Sequence, residues 1–158
     1  MSVRFDNDLL GSHSSGPQAP VLWAFIRLLE FDVSIPVEFL VDTGATRTTV
    51  HERDWTGLFP DADVRTGRIE SMIGIGGEPD YAWHKCLVGL TNANGDAYWI
   101  DDIIEVGFGL DAQTFGLPGL FGRDIINLGT MSLNGPASSF HLDLPAIPLG
   151  QLTRPEQP

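Results

Sequence analysis

An acid ends an apolar run in "FLVDTGATRTTV", Phe39 to Val50. Asp42 is followed at once by Thr43, Gly44 and Ala45. A carboxylate buried without a partner is costly and tends to take up a proton. A strand that drives Asp42 into such company either ends at a surface turn or makes use of a raised proton affinity. Gly44 permits a tight turn, and the Thr43 hydroxyl can brace a loop by hydrogen bonding. Taken alone, the tripeptide is also what an ordinary D-x-G turn looks like.

Other chemistries lack their residues. There is no G-x-x-x-x-G-K for phosphate binding, and "GIGGEP" puts Pro79 where a dinucleotide fingerprint needs its last glycine. His13, His51, His84 and His141 do not fall at metal-ligand spacing, and the single cysteine, Cys86, makes a thiolate site implausible. No G-x-S-x-G elbow is present. An aspartyl-phosphate enzyme also places an acid at a strand end, but it needs Mg²⁺-binding acids nearby, and "TGATRTT" offers none. Neither a metal nor a cofactor is expected.

Two more stretches follow in order. "MIGIGG", Met72 to Gly77, is a glycine-rich tip between two strand-like runs. "GLFGRDII", Gly119 to Ile126, is an apolar-apolar-Gly segment entering a short helix. Either alone has a bland reading, as a Gly-rich hairpin or a plain helix entry with Asp124 near its positive end. With "FLVDTGAT", in this order, they resemble the retropepsin-like aspartic proteases, the family of the retroviral proteases, over about residues 20–143.

The resemblance implies that Asp42 is catalytic and that Thr43, Gly44 and Ala45 form the active-site loop. It implies that Met72, Ile73, Gly74, Ile75, Gly76 and Gly77 form a flap over substrate. Leu120, Phe121, Gly122 and Arg123 would support the site, and Ile73, Ile75 and Leu120 are candidates to line it. The sequence departs from the family where acids commonly follow Asp-Thr-Gly-Ala. Here Thr46 and Arg47 stand in their place, which leaves Arg123 without its usual acidic partner.

Aspartic proteases use two carboxylates that share a proton. This chain holds one Asp-Thr-Gly. The resemblance therefore implies a homodimer with Asp42 supplied twice across a two-fold axis. The substrate would be an extended peptide or protein chain. Two other functions share the fold: a peptide-binding or scaffold module that cuts slowly or not at all, and an autoprocessing domain of a larger chain.

Composition sets outer bounds. A chain of 158 residues fits one domain, and 42% hydrophobic residues fit a globular one. Lys+Arg 9 against Asp+Glu 21 gives a formal charge of -12, which argues against nucleic acid and anionic membrane as partners. No run reaches the roughly 18 apolar residues of a membrane span, and the first residues lack a signal peptide's apolar core. A cytoplasmic location is the expectation.

The elements that must position these residues read as strands. Gly 18 and Pro 11 suit short strands and turns. "VLWAFIRLLE" is ambiguous by period but favours a strand by residue type. With "VSIPVEFLVD" it makes a hairpin delivering Asp42, and "TRTTV" leaves as another strand. "HERDWTGLFPD" has room for one helical turn, and hairpins are expected around 74–77, Asn94-Gly95 and Asn134-Gly135. One helix is expected over Arg123–Leu128. The fold class expected is all-β: a closed, barrel-like acid-protease fold with one short C-terminal helix, a single lobe that dimerises. Its boundaries are a flexible N-terminal arm (or weakly held strand) over 1–19, the domain over 20–145, and a Pro-rich tail over 146–158.

Overall fold

Alternation of apolar and polar side chains builds the framework. In β2 (Ala19–Leu28), Leu22, Ala24, Ile26 and Leu28 point inward while Trp23 and Phe25 face out. In β3 (Val33–Val41), Ile35, Val37, Phe39 and Val41 do the same. This period of two is what a strand with one buried face requires. The two strands pair antiparallel from Val21↔Leu40 to Leu28↔Val33. The structure, a computed structural model, describes residues 1–10, 18–74, 77–111 and 118–151.

The other strands are β1 (Ser2–Leu10), β4 (Thr49–Val50), β5 (Arg68–Ser71), β6 (Asp80–Thr91), β7 (Ala97–Ile100), β8 (Ile104–Gly109), β9 (Gly119–Phe121), β10 (Thr130–Asn134) and β11 (Ser139–Pro148). Neighbours run β1-β2-β3-β9-β4-β8-β6-β7-β11, and a long β1–β11 pairing closes the ring. The barrel expected from the sequence is therefore present. β5 lies outside the ring on β6, and β10 lies outside it on β11. The ring encloses an apolar core that includes Phe5, Phe39, Phe108, Phe121 and Leu142. Each such side chain contributes about 1.5–3 kcal/mol by leaving water.

Helix is confined to single turns. α1 (Glu52–Trp55) is the turn expected before Pro60, and the Asp54 carboxylate accepts the His51 N–H at its start. α2 (Asp61–Val64) was not foreseen. α3 (Arg123–Ile126) is the expected C-terminal helix, shorter than the stretch to Leu128.

Both chain ends carry strand into the barrel. Over Ser2–Leu10 the stretch read as a flexible arm or a weakly held strand is a strand, paired with β11 from Ser2↔Pro145 to Asp8↔Ser139. Its alternation was hidden among polar residues, yet Val3, Phe5 and Leu9 are buried. Arg4 fixes the pair from outside by donating to the Asp143 carboxylate at 3.1 Å. The tail expected from 146 begins as strand: Ala146, Ile147 and Pro148 pair with Ile100, Trp99 and Tyr98. The rest of the arm and tail, 11–17 and 152–158, lies outside the described residues.

The feature that matters most for the site is the place of β9. It runs parallel to β3 in the register Phe39↔Gly119, Leu40↔Leu120, Val41↔Phe121. Parallel strands in this register end at the same level. The residues that follow them, Asp42 and Gly122, thus start their loops side by side.

Candidate active site

Asp42 continues the β3–β9 ladder, its N–H donating to the Phe121 carbonyl at 3.0 Å. The chain then turns back on itself. The Ala45 N–H donates to the Asp42 carbonyl at 3.1 Å, and the Gly44 N–H donates to Asp42 Oδ1 at 2.8 Å. This Asx-type turn fixes one carboxylate oxygen. Asp42 Oδ2 makes no hydrogen bond to the described residues. A Cβ on Gly44 would lie 3.0 Å from Oδ1, so any larger residue here would press on the carboxylate. Asp42 and Ala45 are half-buried, while Thr43 and Gly44 are exposed.

A second loop locks the first. The Arg123 N–H donates to the Ala45 carbonyl at 2.9 Å. Buried Thr48 joins them further along: its Oγ1 donates to Asp124 Oδ1 at 2.7 Å and accepts the Gly122 N–H at 3.1 Å. The Thr48 N–H donates to Asp124 Oδ2 at 2.9 Å. A Cβ on Gly122 would sit 2.5 Å from the Arg47 carbonyl carbon, so only glycine allows the two backbones this close. Thr48 was not singled out from sequence, and Asp124 was read only as an acid near the positive end of a helix entry. Their signal was the polar "TRTT" run facing the acid after Gly-Arg, readable only once the loops meet.

The supporting residues divide by burial. Phe121 and Gly122 are buried, Leu120 is half-buried and Arg123 is exposed. Phe121 packs edge-on against Phe39, with ring centroids 5.8 Å apart. The missing acid near Arg123 is replaced by a weak contact, Nη2 to Thr46 Oγ1 at 3.4 Å.

The glycine-rich tip extends the hairpin of β5 and β6. The Met72 N–H donates to the Pro79 carbonyl, and Gly74 and Gly77 exchange bonds of 3.0 and 3.3 Å. Gly77 has φ of 141°, a conformation that favours glycine. Ile73 is 85% exposed, an apolar side chain held out in solvent. Met72 and Gly74 belong to the same extension, and Ile75 and Gly76 lie outside the described residues. No hydrogen bond among the described residues joins this tip to residues 42–45; the hairpin meets the loop lower down, through Arg47.

Arg47 leaves the loop towards β5, β6 and β8. Its guanidinium lies 3.5 Å from the centroid of the Trp83 ring, and Nη2 donates to Glu105 Oε2 at 2.8 Å. Glu105 also accepts from Arg68, and these arginines hold its carboxyl below the usual range, Arg68 foremost. Sequence reading had marked Arg47 only as a departure.

A closed β-barrel whose Asp-Thr-Gly loop is stitched to a Gly-Arg helix entry is the single-lobed architecture of an acid protease. The family description that matches is retroviral aspartyl protease, over residues 18–133, and the chain belongs to this family. Among solved structures it is similar to EIAV protease complexed with the inhibitor HBY-793, at 17% identity and a TM-score of 0.41, over 75% of this chain and 92% of that one. No curated protein matches. Among the described residues, no helix is long and apolar enough to cross a membrane.

Proposed function

We propose that the protein is an aspartic endopeptidase acting as a homodimer, with Asp42 of each copy forming the catalytic dyad. One observation carries this: the intact Asp42-Thr43-Gly44 turn, held by Phe121 and Arg123 inside the family-matched region. One carboxylate, ionised, takes a proton from water as the hydroxyl oxygen attacks the scissile carbonyl carbon. The other, protonated, gives its proton to the carbonyl oxygen. When the tetrahedral intermediate collapses, the C–N bond breaks and the amine leaves with a proton returned through the dyad. The two carboxyls titrate as a pair.

The other roles follow. Thr43 braces the two loops across the axis, and Gly44 and Ala45 meet the substrate backbone. Residues 72–77 close over an extended peptide and exclude water. Leu120 to Arg123 hold the loop from behind.

The meeting surface we assign is the free edge of β10. Among the described residues β10 pairs only with β11. An open edge presents unpaired N–H and C=O groups that a second copy can bond antiparallel. Leu133 lies opposite Phe140 on the core-facing side yet is 54% exposed, as a side chain awaiting cover would be. β10 follows α3 closely, so this seam would lie near the Asp42 loop. A single buried free thiol, Cys86, suits the cytoplasm, where we place the protein.

The test is cleavage of a peptide library from about pH 4 to 7, around the carboxylate range, by wild type and Asp42→Asn, with sedimentation of both. Cleavage by a wild-type dimer that the variant loses is expected. Equal cleavage by both overturns the assignment of Asp42. A dimer that binds peptide without cutting it replaces the endopeptidase with a peptide-binding module.

A further inference from the structure

The strand that leads into the flap is held weakly by its own sheet. β5 pairs only with β6 among the described residues, lies off the closed ring, and all four of its residues are exposed. Its alternate side chains Arg68 and Glu70 instead enter a cluster of charges. Arg68 Nη2 lies 3.2 Å from Glu70 Oε2 and 3.2 Å from Glu105 Oε2. Arg47 completes the cluster, 2.8 Å from Glu105 Oε2 and 4.0 Å from Glu70 Oε2. Two arginines and two glutamates thus alternate, drawn from β5, β8 and the loop that follows Asp42.

Arg47 is the one member whose place is fixed from the site side. Its backbone is wedged against Gly122, and the next residue, Thr48, is bound twice by Asp124. Its guanidinium rests on Trp83, in the flap-bearing strand β6. Trp83 is itself backed by Gly107, where a Cβ would lie 2.7 Å from the ring. A planar cation between an aromatic face and carboxylates gains from both, and lysine cannot reproduce that fork.

We propose that Arg47 is a positioning residue that ties the base of the flap hairpin to the active-site loop and so sets how readily the flap opens. This rests on the protease reading, but the tether itself is read without activity. Because its carboxylates are partly exposed, salt weakens it. Substrate binding, which needs the closed flap, then depends on Arg47, whereas the chemical step at Asp42 does not.

The experiment compares the full-length protein with Arg47→Met, Arg47→Lys and the milder Glu70→Gln by amide hydrogen exchange and, on a cleaved peptide, by kinetics at low and high salt. Arg47→Met keeps a long side chain over Trp83 and removes the charge. Exchange is expected to quicken about three- to tenfold in Arg68–Ser71 and Asp80–Trp83, with β11 unchanged. Arg47→Lys should fall between, and salt should move wild type towards Arg47→Met. KM should rise about three- to tenfold with kcat nearly constant. Unchanged exchange in β5, or a uniform rise that includes β11, overturns the tether whether or not the protein cuts peptides. A local rise in a protein that never cleaves keeps the tether and removes the protease reading instead.

Discussion

Thr48 and Asp124, 76 positions apart, bind each other twice, through the Thr48 N–H at 2.9 Å and its hydroxyl at 2.7 Å. The same hydroxyl accepts the Gly122 N–H. Three hydrogen bonds thus clamp the loop after Asp42 to the start of α3, at its N-cap Gly122 and at Asp124 in its first turn. Thr48→Val keeps the shape and leaves the buried Gly122 N–H without its acceptor, while Asp124 still accepts from the Ile125 and Thr48 N–H groups; stranding that one donor costs about 1–3 kcal/mol. Thermal melting should fall by several degrees, with cleavage reduced alongside, while Thr48→Ser recovers most of both. A melt within one degree of wild type would show that the clamp is redundant.

Gly122→Ala should be far worse than its single carbon suggests. The added Cβ would meet backbone of Arg47 at 2.5 Å, and backbone cannot swing aside. The loss should exceed the about 1–3 kcal/mol of ordinary overpacking. Gly135→Ala is the control, because nothing lies within 4 Å of its Cβ. Urea unfolding of the pair decides: similar midpoints would mean the two loops are looser than they look.

Acid should loosen the β1–β11 pair. The Arg4 guanidinium beside it holds the Asp143 carboxyl below its usual range, with His141 also facing it at 3.5 Å. A carboxyl depressed in the fold adds stability that is present above its unfolded value, about 4, and lost as pH falls through the folded one. Melting curves of wild type and Asp143→Asn should therefore differ at neutral pH and converge below about pH 4. The pair is exposed, so the gap is small and shrinks with salt.

Cys86 should ignore thiol reagents in the native state. Burial pushes its thiol up to about 12, and the side chain sits in the core on β6. At neutral pH almost no thiolate is present, and none is accessible. Labelling should begin only at denaturant concentrations that unfold the barrel; labelling of folded protein would place Cys86 at a breathing edge.

Leu133→Glu should separate assembly from folding. If two copies meet along β10, this change puts like charges beside the seam while leaving the barrel's core intact. Sedimentation should show monomers with an unchanged circular dichroism spectrum, and cleavage should fall with dimer content. A dimer that persists would move the interface elsewhere.

Much of the fold was legible because its signals are local. β3 alternates at Val37, Phe39 and Val41 and could be read directly, whereas β2, ambiguous by period, was read as its hairpin partner from its β-favouring residues Val21, Trp23, Phe25 and Ile26. Asn94-Gly95 announced its turn, with Gly95 at φ 86°. The short strands were harder. β4 and β9, of two and three residues, are too short to show any period, yet their pairing puts Gly122 beside the Asp42 loop. For β1 the choice between an arm and a weakly held strand stayed open in the sequence, because its buried Val3, Phe5 and Leu9 are scattered among polar residues.

The sequence by itself determined the Asp42 loop, because an Asx turn and its glycine are made by neighbours within three residues. It also determined the strand-rich character, through period and turn chemistry. Only the tertiary structure decided what faces that loop. Thr48 meets Asp124, and Arg47 meets Glu105 58 positions away, because β9 slots in parallel beside β3 and β6, which carries β5, pairs with β8. A local pattern fixes which face of a strand is buried, but it says nothing about which strand lies next to it. That choice belongs to the closing of the whole barrel, where burial and backbone hydrogen bonds are satisfied together.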